Sequence, residues 1–238
     1  DKLYSDTYDA RDMPAADKAG IWLGMGMTEK QGGSDVRANT TRAVHDGRDA
    51  WGERYRLTGH KWFFSAPMCD AFLVLAYVEG MGEGGLSCFF LPRVLPDGTR
   101  NTLRIQRLKD KLGSRSMASG EITLEGATAY LIGEVGRGFQ QMADMINMSR
   151  LSNGVRAAGL MRRGLSEALY IARQRRAFGK HLIEMPLMQR QLDKLRVPAE
   201  QARTMVFQTA QTLMRSDAGD KDAYALLRIL TPMIKFRA

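Results

Sequence analysis

The stretch Gly26-Met27-Thr28-Glu29-Lys30-Gln31-Gly32-Gly33-Ser34-Asp35 gathers the groups that recognise an anion or the polar edge of a ring. Its glycines let a ligand approach the backbone closely, its successive N–H groups can form an anion-binding nest, and Thr28 and Ser34 add hydroxyls. The same residues also suit a surface turn with an Asx cap at Asp35. Gly24-Met25-Gly26 opens like a dinucleotide fingerprint, but Glu29 stands where the third glycine belongs and the surroundings are β rather than βαβ. The glycine-rich loop Gly80 to Gly85 lacks the Gly-Lys-Ser/Thr ending by which a P-loop holds phosphate.

Other chemistries have weaker footing. The two cysteines, Cys69 and Cys88, form no CxxC pair, and His45, His60 and His181 form no HxxxH or HExxH pattern. No metal site and no disulfide framework is expected, and a reducing cytoplasm is the default setting. Charge is uneven: residues 1–135 carry 17 Lys and Arg against 18 Asp and Glu, whereas residues 136–238 carry 18 against 8. The second half, net +10, could face nucleic acid, an anionic cofactor or an acidic neighbouring subunit, or be a solvated arginine face. No apolar run approaches the roughly 18–20 residues that a membrane span requires.

Two kinds of element must position these residues. From about residue 22 to 130, short β-favouring runs such as 55–58, 71–78, 86–91 and 121–124 alternate with turns at Asp46-Gly47, Gly80–Gly85 and Pro96-Asp97-Gly98. That spacing predicts an antiparallel barrel or sandwich, with the almost wholly apolar run 71–78 as a central strand. From Gly138 the period becomes helical, with Phe139, Met142, Met145, Ile146, Leu151 and Val155 at three- and four-residue steps. One helix is expected to about Gln174, then a turn through Phe178-Gly179-Lys180. A second helix should start near Pro186 and be kinked or interrupted at Pro198, and a third should begin near Lys221. The fold class is therefore α+β, a β domain followed by part of an antiparallel helix bundle. The expected boundaries are 1–20, 21–135 and 136–238, and the abrupt ends suggest a piece of a longer chain.

Four segments, in order, resemble motifs of the acyl-CoA dehydrogenase family. Thr28-Glu29 through Gly33-Ser34-Asp35 is similar to its flavin loop, and Gly59-His60-Lys61-Trp62-Phe63-Phe64-Ser65 to its Gly-x-Lys-x-Trp-Ile-Thr-Asn segment. Leu108 to Ser116 resembles a loop before a strand, and Arg175-Arg176-Ala177-Phe178-Gly179-Lys180 its Arg-x-x-Phe-Gly motif. Lys30-Gln31, Gly59–Ser65 and Gly85–Phe90 resemble more narrowly the alkylation-response subgroup. The resemblance implies residues 1–20 as the tail of a helical domain, 21–135 as a flavin-binding β-domain, and FAD as cofactor. Met27, Thr28, Gly33, Ser34, Phe63, Phe64 and Ser65 would contact FAD, with Arg175 and Phe178 reaching the FAD of a neighbouring subunit. Thr28, Ser34, Ser65 and Arg150 would face the substrate, an acyl-CoA-like molecule.

The family's reaction needs a carboxylate to remove the α-proton while hydride leaves the β-carbon for flavin N5. One of the family's two places for that glutamate, just before an arginine in the first long helix, holds Ser149 here, whose hydroxyl is far too weak a base. The other lies beyond Ala238, so no catalytic residue is assigned. Further implied partners are an electron-transfer flavoprotein and a second copy of the chain, as a homodimer or homotetramer. The alternative function is a DNA-associated flavoprotein of the alkylation response, on account of the basic second half.

Overall fold

The computed structural model describes residues 2–237. It falls into two compact units, residues 1–142 and 143–238, with the boundary inside helix α1 (Gly138–Gln174). Seven strands build the first unit: β1 (Leu23–Thr28), β2 (Arg42–Asp49), β3 (Gly52–Ser65), β4 (Ala71–Val78), β5 (Leu86–Pro92), β6 (Leu103–Leu108) and β7 (Ser119–Ile132). Their pairings run in a ring: β3 bonds β7, β7 bonds β5, β5 bonds β4, and β4 returns to β3 through both β1 and β2, with β6 outside β7.

Most pairs are antiparallel as expected, but β4 runs parallel to β1 and to β2. The direction follows from β3. Both β1 and β2 pair antiparallel with it and so share a direction, and the turn after Ser65 hands the chain to β4 in that same direction. The apolar run 71–78 is a strand end to end, bonded on both sides and mostly buried, which is where a strand without alternation belongs. Phe64, Phe72, Val74, Phe89, Leu91, Ile122 and Leu124 fill the core.

The sequence shows β3 and β7 only in part. Each has 14 residues, but Arg54, Arg56 and His60 on the outer side of β3 break up its apolar signal. Ahead of β1 the chain makes two short 3-10 turns, Lys2–Tyr4 and Ala15–Asp17. Asp70 pins this segment, accepting hydrogen bonds from Lys18 Nζ at 2.5 Å and Trp22 N at 2.9 Å.

The second unit continues α1, then forms a two-residue hairpin, β8 (Arg176–Ala177) with β9 (Lys180–His181), followed by α2 (Pro186–Asp217) and α3 (Lys221–Arg237). Pro186 occupies the first turn of α2, where its missing N–H costs nothing. Asp220 ties α2 to α3: its carboxylate caps Ala223 N at 3.0 Å and accepts from Arg215 Nη2 at 2.6 Å. The expected interruption at Pro198 does not occur, and α2 runs through it unbroken. Proline removes one i→i−4 bond, while buried Leu192 before it and Ala199, Ala202 and Val206 after it anchor both sides.

The packed core of this unit, Leu151, Ala158, Ala202, Val206 and Ile234, is a narrow stripe. Phe139, Val155, Leu187 and Leu195, expected on the core face, are exposed instead, because the buried stripe is narrower than the apolar pattern of the helices. Among the described residues no helix is long and apolar enough to cross a membrane.

Candidate functional site

Glu29 joins the two best-defined motifs. Its carboxylate is 2.7 Å from Lys61 Nζ, and both side chains are buried, at 1% and 0% exposure. Lys61 also donates to the Leu75 carbonyl of β4 at 2.7 Å. Oε1 of Glu29 accepts from Thr41 N and Oγ1, and Oε2 accepts from Thr40 N, Thr40 Oγ1 and Gln31 Nε2. Every lone pair of the carboxylate has a donor, which is what a buried charge requires. Burial alone would raise the pKa of this carboxyl. The Lys61 charge and hydrogen bond, with the donors of Thr40 and Thr41, outweigh it and hold it at about 2. The ion pair thereby bolts the loop after β1 to β3 and β4.

With that bolt in place, β1 and β3 lie in a register that makes Thr28 the Cα partner of Phe63 and Met25 the partner of Ser65. Phe63 is 45% exposed, and its ring stands on the strand beside the Thr28 side chain's own strand. Met27 is half-buried, its carbonyl accepting from Asn39 Nδ2 at 2.8 Å, while Gly33, Ser34 and Ser65 are exposed. Asp35 does act as an Asx cap, accepting from Arg37 N at 3.0 Å at the start of the 3-10 turn Val36–Ala38. The turn reading therefore holds for Asp35, and packing explains Gly32, where a Cβ would lie 2.5 Å from Asn39 Oδ1.

Two glycines of the motif separate structure from site. A Cβ on Gly26 would lie 2.2 Å from the Phe64 ring, so packing alone demands glycine there. Gly33 has no such reason. A Cβ there would meet only Thr28 Cγ2 at 3.8 Å, an ordinary contact, and its backbone is not in the left-handed region. That Cβ would instead fill the space beside Thr28, where a close-approaching ligand would need glycine.

Phe64 is a correction. Expected at the cofactor, it is fully buried and packs on Phe72 with ring centres 4.5 Å apart, so its side chain has no face to offer. Strand alternation and the irregular register around Lys61 and Phe64 turn Phe63 outward and Phe64 inward.

In the helical unit, Arg150 and Arg175 are 25 residues apart along α1 and its end, which is about 37 Å of helix. They cannot serve one end of one ligand from the same chain. Arg150 donates to Asn147 Oδ1 at 3.1 Å, and Ser149 is exposed with its hydroxyl toward Met145 Sδ at 3.8 Å. Asp144 and Asn147 line a cavity of about 400 Å³ with Leu151, Leu213, Tyr224 and Thr231. Phe178 and Gly179 form the hairpin tip, both in the left-handed region (φ 50° and 77°) as a two-residue primed turn requires. A phenylalanine held there, 97% exposed, is a backbone arrangement that displays the ring. Arg175 is exposed at the end of α1.

A model of the acyl-CoA dehydrogenase middle domain matches residues 24–127, and one of the C-terminal domain matches residues 136–238. The chain belongs to the acyl-CoA dehydrogenase family. Members of this family are FAD-dependent flavoproteins. AidB of Escherichia coli K12 is 46% identical over 98% of this chain and 41% of its own length. Acyl-CoA dehydrogenase family member 11 of Caenorhabditis elegans is 37% identical over all of this chain and 39% of its own length. The crystal structure of Caenorhabditis elegans ACDH-11 in complex with C11-CoA superimposes with a TM-score of 0.81 at 35% identity, covering 91% of this chain and 37% of that one. The chain thus spans about two fifths of the relatives it matches.

The motifs are legible in the sequence, but the pairing of Glu29 with Lys61 and the cluster of Lys30, Trp62, Arg107 and Lys109 are not. Lys30, Trp62 and Lys109 lie within three of the motif segments. What joins them is the pairing of β3, β7 and β6, which no local pattern reveals.

Proposed function

We propose that this chain forms the flavin seat of a FAD-dependent oxidoreductase acting on acyl-CoA-like thioesters. The observation that carries the reading is the open space beside Thr28, framed by Gly33 and Phe63 and locked by the Glu29–Lys61 bolt. The donor set fits a flavin: Thr28 and Ser65 hydroxyls for polar ring edges, an exposed aromatic ring, and glycine backbone where close approach is needed. When bound, FAD supplies the acceptor for the hydride that leaves the β-carbon as the α-proton is removed. Thr28 donates to the ring edge, while Gly33 and Ser34 meet the pyrophosphate or the thioester end. Arg175 and Phe178 reach the cofactor of a neighbouring subunit, where a guanidinium suits a pyrophosphate. Arg150 serves the substrate side. Ser149, at the place just before Arg150, cannot remove the α-proton, so this position does not supply the base. In this reading, residues before 21 belong to the tail of a helical domain, 21–135 to the flavin-binding domain and 136–238 to part of a bundle.

Equilibrium titration with FAD, followed by flavin absorbance, tests the seat. Thr28→Val and Phe63→Ala should each weaken binding by roughly fivefold or more, the range for a lost hydrogen bond or aromatic contact. A longer chain bearing these residues that takes up no flavin, or whose bound flavin no acyl-CoA reduces, would refute the proposal.

A DNA-associated role is the second reading. Arg162, Arg173, Arg190 and Lys194 are exposed and make no ion pair among the described residues. Phosphate neutralisation predicts DNA binding that weakens steeply from low to moderate salt. Binding absent at low salt, or indifferent to salt, counts against it.

A further inference from the structure

More cations surround Trp62 than the nearby carboxylate balances. Lys109 Nζ lies 3.0 Å from the centre of the indole ring and 5.1 Å from that of Phe63. Lys30 Nζ and the Arg107 guanidinium approach the same indole at 5.7 and 5.6 Å. Their counter-charge is Glu121, which accepts from Arg107 Nε at 2.6 Å and Lys109 Nζ at 3.2 Å, with His60 Nε2 also 3.2 Å away. Lys30 makes no ion pair among the described residues. Three permanent cations therefore gather at one indole while one carboxylate pairs with only two of them, and such an excess of positive charge favours a bound anion.

The cluster is also prepared for one. Lys109 is mostly buried, 11% exposed, and is held between Glu121 and the indole face, so little rotamer freedom remains to be lost on binding. Arg107 and Lys30 are open to solvent. Phe63 presents a half-exposed ring at the same place, and its strand partner is Thr28.

We propose that Lys30, Arg107 and Lys109 form a phosphoryl-binding rim around Trp62 that takes a phosphate group of a nucleotide ligand. A small pre-oriented group of cations suits a compact dianion, and the adjoining aromatic surface suits the planar ring of a nucleotide. The rim adjoins the flavin seat and rests on that reading only for the source of the phosphate, which is either FAD or the CoA part of a thioester.

The test is a titration of the whole chain with inorganic pyrophosphate, FAD, riboflavin and coenzyme A, each against wild type, Lys30→Gln and Arg107→Gln. Tryptophan fluorescence follows the colourless ligands and absorbance follows the flavins. Both variants remove an exposed charge, and circular dichroism verifies their fold. Pyrophosphate should bind wild type and weaken about tenfold in each variant, the size of one lost charge-assisted bond. If FAD is the source, the preference for FAD over riboflavin should shrink by the same factor while coenzyme A is unaffected; if CoA is, the reverse holds. Equal binding of pyrophosphate and both nucleotides to all three proteins overturns the proposal. FAD uptake untouched by either variant, with no loss for coenzyme A, leaves the seat standing and removes the rim. Loss of pyrophosphate binding in the variants, with no flavin uptake by any protein, does the opposite.

Discussion

Gly26 and Gly33 belong to one short motif and are glycine for opposite reasons. Gly26 lies against the Phe64 ring, so Gly26→Ala should cost about 1–3 kcal/mol by overpacking, read as a lower denaturation midpoint. Gly33 faces open space, so Gly33→Ala should leave the midpoint unchanged or slightly raised, since alanine narrows the unfolded ensemble. The same substitution should weaken FAD binding about tenfold, because its methyl group occupies the space beside Thr28. Flavin titration alongside chemical denaturation separates the two effects. Lys61 belongs to this scale as well: Lys61→Met leaves the Glu29 carboxylate buried without its cation and should cost about 3–5 kcal/mol.

At the scale of elements, strands and helices respond differently to local defects. Phe64 sits fully buried between β1 and β4, and Phe64→Ala should cost about 3–5 kcal/mol while leaving Phe63, its outward neighbour, in place. Helix α2 tolerates Pro198 at an exposed position without a break, so Pro198→Ala should stabilise the helical unit by about 1–3 kcal/mol, measured as a raised thermal midpoint. A neutral or destabilising result would mean that the proline ring itself is packed. The β8–β9 hairpin shows how an element can serve a side chain: its primed turn requires two left-handed residues, and the second is met cheaply by Gly179 while the first holds Phe178 outward.

For the whole molecule, charge decides the response to pH and salt. An unfolded Glu29 protonates near 4.5, whereas in the fold its carboxyl stays ionised to about 2. Its contribution is therefore fully present above pH 4.5 and lost as the pH falls toward 2, amounting to roughly 3 kcal/mol. Urea denaturation across that range should show the loss in wild type and a flatter profile in Glu29→Gln. The first unit is nearly neutral and the second strongly basic, so salt should act on anion binding by the second far more than on the stability of the first.

The sequence by itself determined the two classes of element, the position of β4, the helix limits at Gly138, Gln174 and Pro186, and the family, because these follow from local periodicity, turn chemistry and short motifs. It could not tell Phe63 from Phe64, since a single irregularity in strand register decides which ring faces the core. Nor could it show that Glu29 and Lys61, 32 residues apart, bind each other, or that Lys30, Arg107 and Lys109 meet at Trp62. Those contacts arise from pairing between strands distant in the chain. The loop Gly26–Asp35 that the sequence marked as a place for an anion is held in shape by a buried ion pair, and only the tertiary structure brings Lys30, Arg107 and Lys109 together at Trp62.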